Sequence, residues 1–277
     1  LIIDEIQRHW RISNDCEITL EANPTSVEID KFRSFREAGI NRVSIGVQSL
    51  IERDLDFLGR KHDGAGARRA IDSAAKVFDR YSFDLIYARP QQTADAWEKE
   101  LREAITLAGD HLSLYQLTIE KGTPFYMMHE RGEFKIPNEE LAGDLYEITQ
   151  SVLEEAGMPA YEVSNHAKPG SESRHNLTYW RYTDYVGIGP GAHGRLTMDG
   201  RKQATRGHRA PDIWLEKVAA NGHGAHEFES LSPRDRFTEC LMMGLRLEEG
   251  IPVARLEAEG GEEFKNLIDP KKIEALR

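Results

Sequence analysis

From Glu17 to Ile119, strand and helix signals alternate, and this limits the fold more than any other feature of the chain. Glu17–Ala22, Arg42–Val47, Ser82–Tyr87 and His111–Ile119 read as strands. Between them Thr25–Ala38, Ile51–Leu58, Gly64–Phe78 and Thr93–Ala108 read as helices, the first with Thr25 or Ser26 as N-cap and Gly39 as its stop. Strands separated by helices cannot pair as hairpins, so the pattern requires crossovers and a parallel sheet. The expected fold class is α/β, a partial (β/α) barrel. A full eight-stranded barrel takes ~250 residues, whereas here the alternation starts mid-unit and weakens after Ile119. Leu1, Ile2, Ile3, Ile6 and Trp10 already form a helical apolar stripe. The sequence is therefore expected to be a fragment whose first strands lie upstream of Leu1.

In such barrels the chemistry sits at the C-terminal ends of the strands. Glu21, Gln48, Asp84 and Thr118 fall there, with Arg60 in the loop after a short helix. Two carboxylates, an amide and a guanidinium on one rim suit a zwitterionic, hydroxyl-bearing ligand. Taken singly, each of these residues has a second reading, as the cap of the next helix or the partner of a neighbour.

Tyr161–Arg195 is the chemically densest stretch, with His166, His175, His193, four tyrosines and Trp180 set between glycine-rich turns. His175-Asn176-Leu177-Thr178-Tyr179-Trp180 places an imidazole and two flat rings within two helical turns. Gly187–Gly194 is a loop whose backbone can come close to a ligand. Further on, Asn138–Ala156 reads as a helix capped by Asn138 and stopped at Gly157. Ala160–Ser164 reads as a further strand, Leu196–Thr205 as a hairpin turning at Asp199-Gly200, and Pro211–Ala220 as a helix. Arg195, Arg201, Lys202, Arg206 and Arg209 around that hairpin read as a solvated face or, alternatively, a cradle for ligand carboxylates. Asn221–Glu229 reads as a linker. A helix starting at Ser232-Pro233, with Phe237, Leu241, Met242 and Leu245 at helical spacing, opens a small helical domain. Another helix is expected over Pro270–Arg277. The expected domains are thus residues 1–220 and 221–277.

The net charge of −11 argues against a generic nucleic-acid binder. No apolar run reaches the length of a membrane span. Cys16 and Cys240 are the only cysteines, which excludes a disulfide framework and a CxxC-type metal site in this sequence and points to the cytosol.

EANP (Glu21–Pro24), GINRVSIGVQS (Gly39–Ser49), LGRKH (Leu58–His62) and DLIYARPQQT (Asp84–Thr93) resemble the radical S-adenosylmethionine barrel of the oxygen-independent coproporphyrinogen III oxidase family. HLSLYQLTIEKGTPF, YEVSNHA, HNLTYW and GIGPGAHG are similar to the HemW-like haem-chaperone branch; the decarboxylating oxidases lack HNxxYW. The resemblance runs from about Ile18 to Leu247 and implies a barrel followed by a small helical domain.

The resemblance implies a [4Fe–4S] cluster on a CxxxCxxC motif, with S-adenosylmethionine on the fourth iron. That motif is absent from this sequence, and Cys16 and Cys240 cannot replace three closely spaced thiolates. Carried over residue by residue, Glu21 would bind the amino or ribose end of S-adenosylmethionine, and Gln48 and Asp84 its ribose hydroxyls. Arg60 would pair with the methionyl carboxylate, and Ile86 and Thr118 would pack near adenine. Ala88-Arg89-Pro90 departs from the usual Gly-Leu-Pro, which leaves the adenine wall open. The same resemblance implicates His175 in haem binding, with Tyr179 and Trp180 stacking on the macrocycle. The competing reading of HNLTYW is a structural helix whose Tyr and Trp fill core. The implied function is a haem chaperone delivering haem to a membrane haem protein; the alternative is radical decarboxylation of coproporphyrinogen III propionates.

Overall fold

The computed structural model describes residues 1–26, 28–264, 268–269 and 271, and divides into two compact units, Leu1–Ser173 and Arg174–Arg277. The first unit runs α1 (Ile2–His9), β1 (Thr19–Ala22), α2 (Ile29–Glu37), β2 (Arg42–Gln48), α3 (Glu52–Phe57), α4 (Gly64–Val77) and β3 (Arg80–Tyr87). It continues through α5 (Ala94–Leu107), β4 (His111–Gln116), α6 (Pro124–Glu130), α7 (Glu139–Glu155), β5 (Ala160–Glu162) and β6 (Asn165–Ala167). Its sheet has the order β1-β2-β3-β4-β6-β5. The first four strands are parallel, as the alternation requires, and β6 returns antiparallel to β4 with His166 opposite Leu112. The sheet stays open, which agrees with a partial barrel.

A parallel sheet covered on both faces by apolar helices would have nearly continuous apolar strands. These strands alternate instead. Val43, Ile45, Val47, Phe83, Leu85, Tyr87, Leu112 and Leu114 form one face. They bury it against Ala67, Ala70, Ile71 and Ala74 of α4, Trp97 and Leu101 of α5, and Leu145 and Val152 of α7. The residues between them turn to the opposite face and, Ile86 apart, are polar or small: Glu21, Arg42, Ser44, Gly46, Arg80, Ser82, Asp84, His111 and Ser113. Many of these are buried, so each needs a partner. His111 contacts Ser82 Oγ through Nδ1 at 2.8 Å and the Tyr161 hydroxyl through Nε2 at 2.9 Å. Burial, helped by the charges of Arg42 and Arg80, holds its pKa well below the ordinary imidazole value. Arg80 pairs with Glu17 at 2.7 Å.

Local chemistry sets several boundaries. Thr93, Asn138 and Ser232 cap their helices by accepting the amide protons of Ala96, Leu141 and Asp235. Other boundaries differ from expectation. The helix expected from Thr25 starts at Ile29, because a 3₁₀ turn over Pro24–Ser26, with Ser26 N donating to Asn23 O, intervenes. β4 stops at Gln116, short of Ile119, and Thr118 lies beyond the sheet.

The second unit comprises α8 (Arg174–Trp180), β7 (His193–Met198), β8 (Arg201–Arg206), α9 (Pro211–Asn221), β9 (Glu229–Ser230), α10 (Pro233–Gly244) and α11 (Val253–Gly260). The β7–β8 hairpin turns at Asp199 (φ 50°) and Gly200 (φ 72°), the left-handed pair that a two-residue turn requires. Asn221–Glu229 is not a linker: Ala225 bridges Gly207, and Glu229–Ser230 pairs with β8. Tyr182 shares a core with Phe237, Cys240 and Leu256. These contacts group residues 174–220 with the C-terminal residues in one compact unit that begins at Arg174. On α10, Phe237 is buried, but Met242 and Leu245 are exposed. The helix expected over Pro270–Arg277 lies, but for Lys271, outside the described residues.

Two of the five hairpin charges turn inward rather than forming a solvated face. Arg195 forks onto Glu239 at 2.7 and 2.8 Å, and the Tyr182 hydroxyl donates to the same carboxylate at 2.7 Å. Lys202 is buried and donates to Tyr182 O at 2.8 Å. Arg201, Arg206 and Arg209 remain exposed.

Candidate functional site

The rim of the first unit gathers most of the residues expected there. Parallel register sets Glu21 opposite Ser44, and Ser44 opposite Ser82. Asp84 follows two residues later on the same face, opposite Ser113. Its carboxyl accepts from the Ser113 and Ser44 hydroxyls. Burial first, and the negative charge of Glu21 second, raise the Asp84 pKa to about 7, against the pull of Ser113, Arg42 and Ser44. Asp84 is thus a carboxyl near half-ionisation at neutral pH, beside a second carboxylate.

Two residues further along β2 is Gly46, the centre of the second cluster. Arg60 Nη2 donates to Gly46 O at 2.9 Å and to Asn23 Oδ1 at 3.1 Å. A Cβ on Gly46 would meet Gln48 Nε2 at 3.2 Å and Arg60 Nη2 at 3.4 Å. Glycine therefore leaves a cradle between the amide and the guanidinium. Ile86 is half-buried opposite Tyr115. Thr118 is exposed, its hydroxyl donating to Gln116 O at 3.3 Å, a contact that leaves it beyond β4 rather than among the other rim residues. Sequence reasoning missed Asn23, Ser44, Ser113 and Tyr115. The available signal was the polar–apolar alternation in RVSIG, SFDLI and HLSLY.

In the second unit, the HNLTYW motif forms α8. The exposed His175 ring lies edge-on to Tyr179, with centroids 4.7 Å apart, and Tyr179 meets Tyr185 at 4.5 Å. His175 and Tyr179 share a face because they are four residues apart; Trp180 is turned about 100° from Tyr179. The Arg246 guanidinium lies 4.5 Å from the Trp180 ring. Trp180 also lines a cavity of about 220 Å³ with Cys240, Leu247, Ile251 and Arg255, and its buried Nε1 has no hydrogen-bond partner among the described residues. The motif therefore divides: His175 and Tyr179 present one aromatic surface, and Trp180 serves another.

The other two histidines of this stretch differ in setting. His166 is buried in the first unit with no partner for either nitrogen among the described residues, and burial lowers its pKa to about 4, so it is neutral at physiological pH. His193 is exposed at the start of β7. The glycine-rich loop spends its close approaches on its own neighbours. A Cβ on Gly187 would strike the His193 carbonyl, and one on Gly207 would meet Gly189 O at 2.5 Å. Among the described residues no group of three metal-ligating side chains could hold an ion, and no helix is long and apolar enough to cross a membrane.

The Radical SAM superfamily profile matches residues 1–104, and the HemN C-terminal domain profile matches residues 231–277. The solved structure of coproporphyrinogen III oxidase (HemN) from Escherichia coli superposes with a TM-score of 0.75 at 20% identity, covering 96% of this chain and 63% of that one. That likeness shows the fold alone. Radical S-adenosyl methionine domain-containing protein 1, mitochondrial, of Mus musculus is 40% identical over 90% of this chain and 58% of its own length. The chain thus spans less than two thirds of the first curated relatives. Heme chaperone HemW of Escherichia coli is 37% identical over 99% of this chain and 71% of its own length. By that likeness and its fold, the chain belongs to the HemW family of the radical S-adenosylmethionine superfamily.

Proposed function

We propose that this chain is the ligand-binding part of a haem chaperone. The observation that carries the reading is α8, where an exposed imidazole, His175, stands edge-on to Tyr179 in a unit separate from the parallel sheet. An accessible imidazole with an aromatic neighbour suits an axial iron ligand beside a flat macrocycle. Haem is then cargo, held by His175 and Tyr179, with Trp180 supporting the helix from the other side. Its acceptor is a membrane haem protein.

The rim fits S-adenosylmethionine by its chemistry. Asp84 and Gln48 would accept and donate to the ribose hydroxyls, Arg60 would hold the methionyl carboxylate beside the Gly46 cradle, and Glu21 the amino end. Ile86 would pack near adenine, whereas Thr118, exposed beyond β4, stands apart from the other rim residues. When bound at a cluster, S-adenosylmethionine supplies the option of reductive cleavage; the residues named here bind and orient it. The cysteines present do not fit a [4Fe–4S] cluster: Cys16 and Cys240 lie in separate units.

Radical decarboxylation of coproporphyrinogen III is the competing reading. The test is an anaerobic incubation of the full-length, reduced protein with S-adenosylmethionine and coproporphyrinogen III, followed by chromatography of the porphyrins. The chaperone reading expects no decarboxylated product. Multiple turnovers to protoporphyrinogen would replace it with the oxidase reading.

A further inference from the structure

Three residues other than glycine adopt left-handed backbone conformations around the strand ends of the first unit. Gln48 closes β2 at φ 72°, Ala88 follows β3 at φ 57°, and Gln91 lies in the next turn at φ 60°. Such conformations cost of order 1 kcal/mol or more each and persist where their surroundings over-determine them. Between them lies a buried charge network. Arg89 is 1% exposed and Glu100, on α5, 3%. Arg89 donates to Glu100 and to Ser49 Oγ, and sits 3.2 Å from Asp54 of α3. One oxygen of Glu100 accepts from Ser49 Oγ at 2.6 Å and from Leu50 N at 2.9 Å. Arg89 N donates to Gln92 Oε1 at 3.2 Å.

The network therefore ties together the residue after Gln48, the turn after β3, α3 and α5. Gln48 and the chain leading to Arg60 hang from these anchors. Arg89 and Glu100 are both all but fully buried, which keeps their side chains from a ligand held beside Gly46. The alanine-arginine-proline turn, which departs from the usual glycine-leucine-proline, has its side chain neutralised by Glu100 rather than exposed at an adenine wall.

We propose that the Arg89–Glu100 pair is a positioning device that fixes Gln48 in its left-handed conformation at the rim, so that S-adenosylmethionine affinity depends on a charge pair the ligand never meets. The proposal rests on the reading of the rim as an S-adenosylmethionine site. Removing one partner would strand a buried charge and threaten the fold. The informative variant is therefore the double change Arg89→Leu with Glu100→Gln, joined by the milder Ser49→Ala.

The experiment is a double-mutant cycle in the full-length protein, with S-adenosylmethionine affinity read by calorimetry at a temperature where circular dichroism shows every variant folded. The Arg89→Leu/Glu100→Gln variant should bind about tenfold more weakly, and Ser49→Ala about threefold. In a Gln48→Ala background the same double change should add less than twofold, whereas in an Asp84→Ala background it should keep its tenfold effect. Without ligand, the side-chain amide resonance of Gln48 should shift in the double variant. Native affinity in the folded double variant, or equal losses in both backgrounds, would overturn the proposal. If Asp84→Ala weakens binding and Gln48→Ala does not, the positioning inference falls while the rim site stands. If neither weakens it, the rim reading falls and takes this inference with it.

Discussion

Trp97→Ala is expected to cost the first unit about 3–5 kcal/mol of stability. Trp97 is fully buried on α5 and stacks on Tyr87 of β3, with centroids 5.2 Å apart and planes 21° from parallel. Its indole N–H donates to Thr149 Oγ1 on α7 at 2.8 Å, and that hydroxyl donates onward to Leu145 O. One side chain thus joins two helices to the sheet, and truncation leaves a cavity where all three meet. Native domains hold about 5–15 kcal/mol in reserve, so the loss is a large share. Trp97→Phe should retain most of the packing and lose only the hydrogen bond, worth about 0.5–1.5 kcal/mol. Urea unfolding followed by far-ultraviolet circular dichroism separates the two. Equal, small shifts for both variants would show that Trp97 is not a keystone of this core.

The second large effect concerns Asp84. A carboxyl with a folded pKa of about 7, against 3.8 ordinarily, holds in the folded state a proton that the unfolded chain has released. Between about pH 4 and pH 7 the folded state binds more protons, so stability falls as pH rises across that window and levels off above it. A tenfold change in proton affinity is worth about 1.4 kcal/mol, so the whole fall is at most about 4 kcal/mol. Asp84→Asn should flatten this slope in stability–pH curves. Ligand binding runs the other way, because the ionised carboxylate is the better acceptor for a diol. S-adenosylmethionine affinity in the full-length protein should therefore rise through about pH 7. Asp84→Ala should lower it by about tenfold or more, since a charged hydrogen bond contributes about 1.5–3 kcal/mol. Identical pH dependence in native and Asp84→Asn proteins would remove Asp84 from both roles.

Much of this was legible in the sequence where the signal is local. Asn138 and Ser232 cap helices because an N-cap is decided within four residues. The parallel pairing of β1 to β4 followed from helices too long to be hairpin turns. What escaped depends on residues far apart in sequence. Asp84 takes its raised pKa partly from Glu21, which it meets only once three strands align. Arg89 reads as a departure in a motif until Glu100 and Ser49, on other elements, are brought to it. HNLTYW was legible as a helix, but not the turn of Trp180 toward Arg246 and away from Tyr179, which α10 and its following loop decide. Asn221–Glu229 looks like a linker by composition; its pairing with β8 is a tertiary choice.

The most direct test of the account is a hemin titration of the protein followed in the Soret region, beside His175→Ala and Trp180→Phe, with the fold of each checked by circular dichroism. Saturation at one equivalent is expected in the native protein, with loss of the shifted Soret band in His175→Ala and its retention in Trp180→Phe. An unchanged Soret titration in folded His175→Ala, or no binding by the native protein, would contradict it.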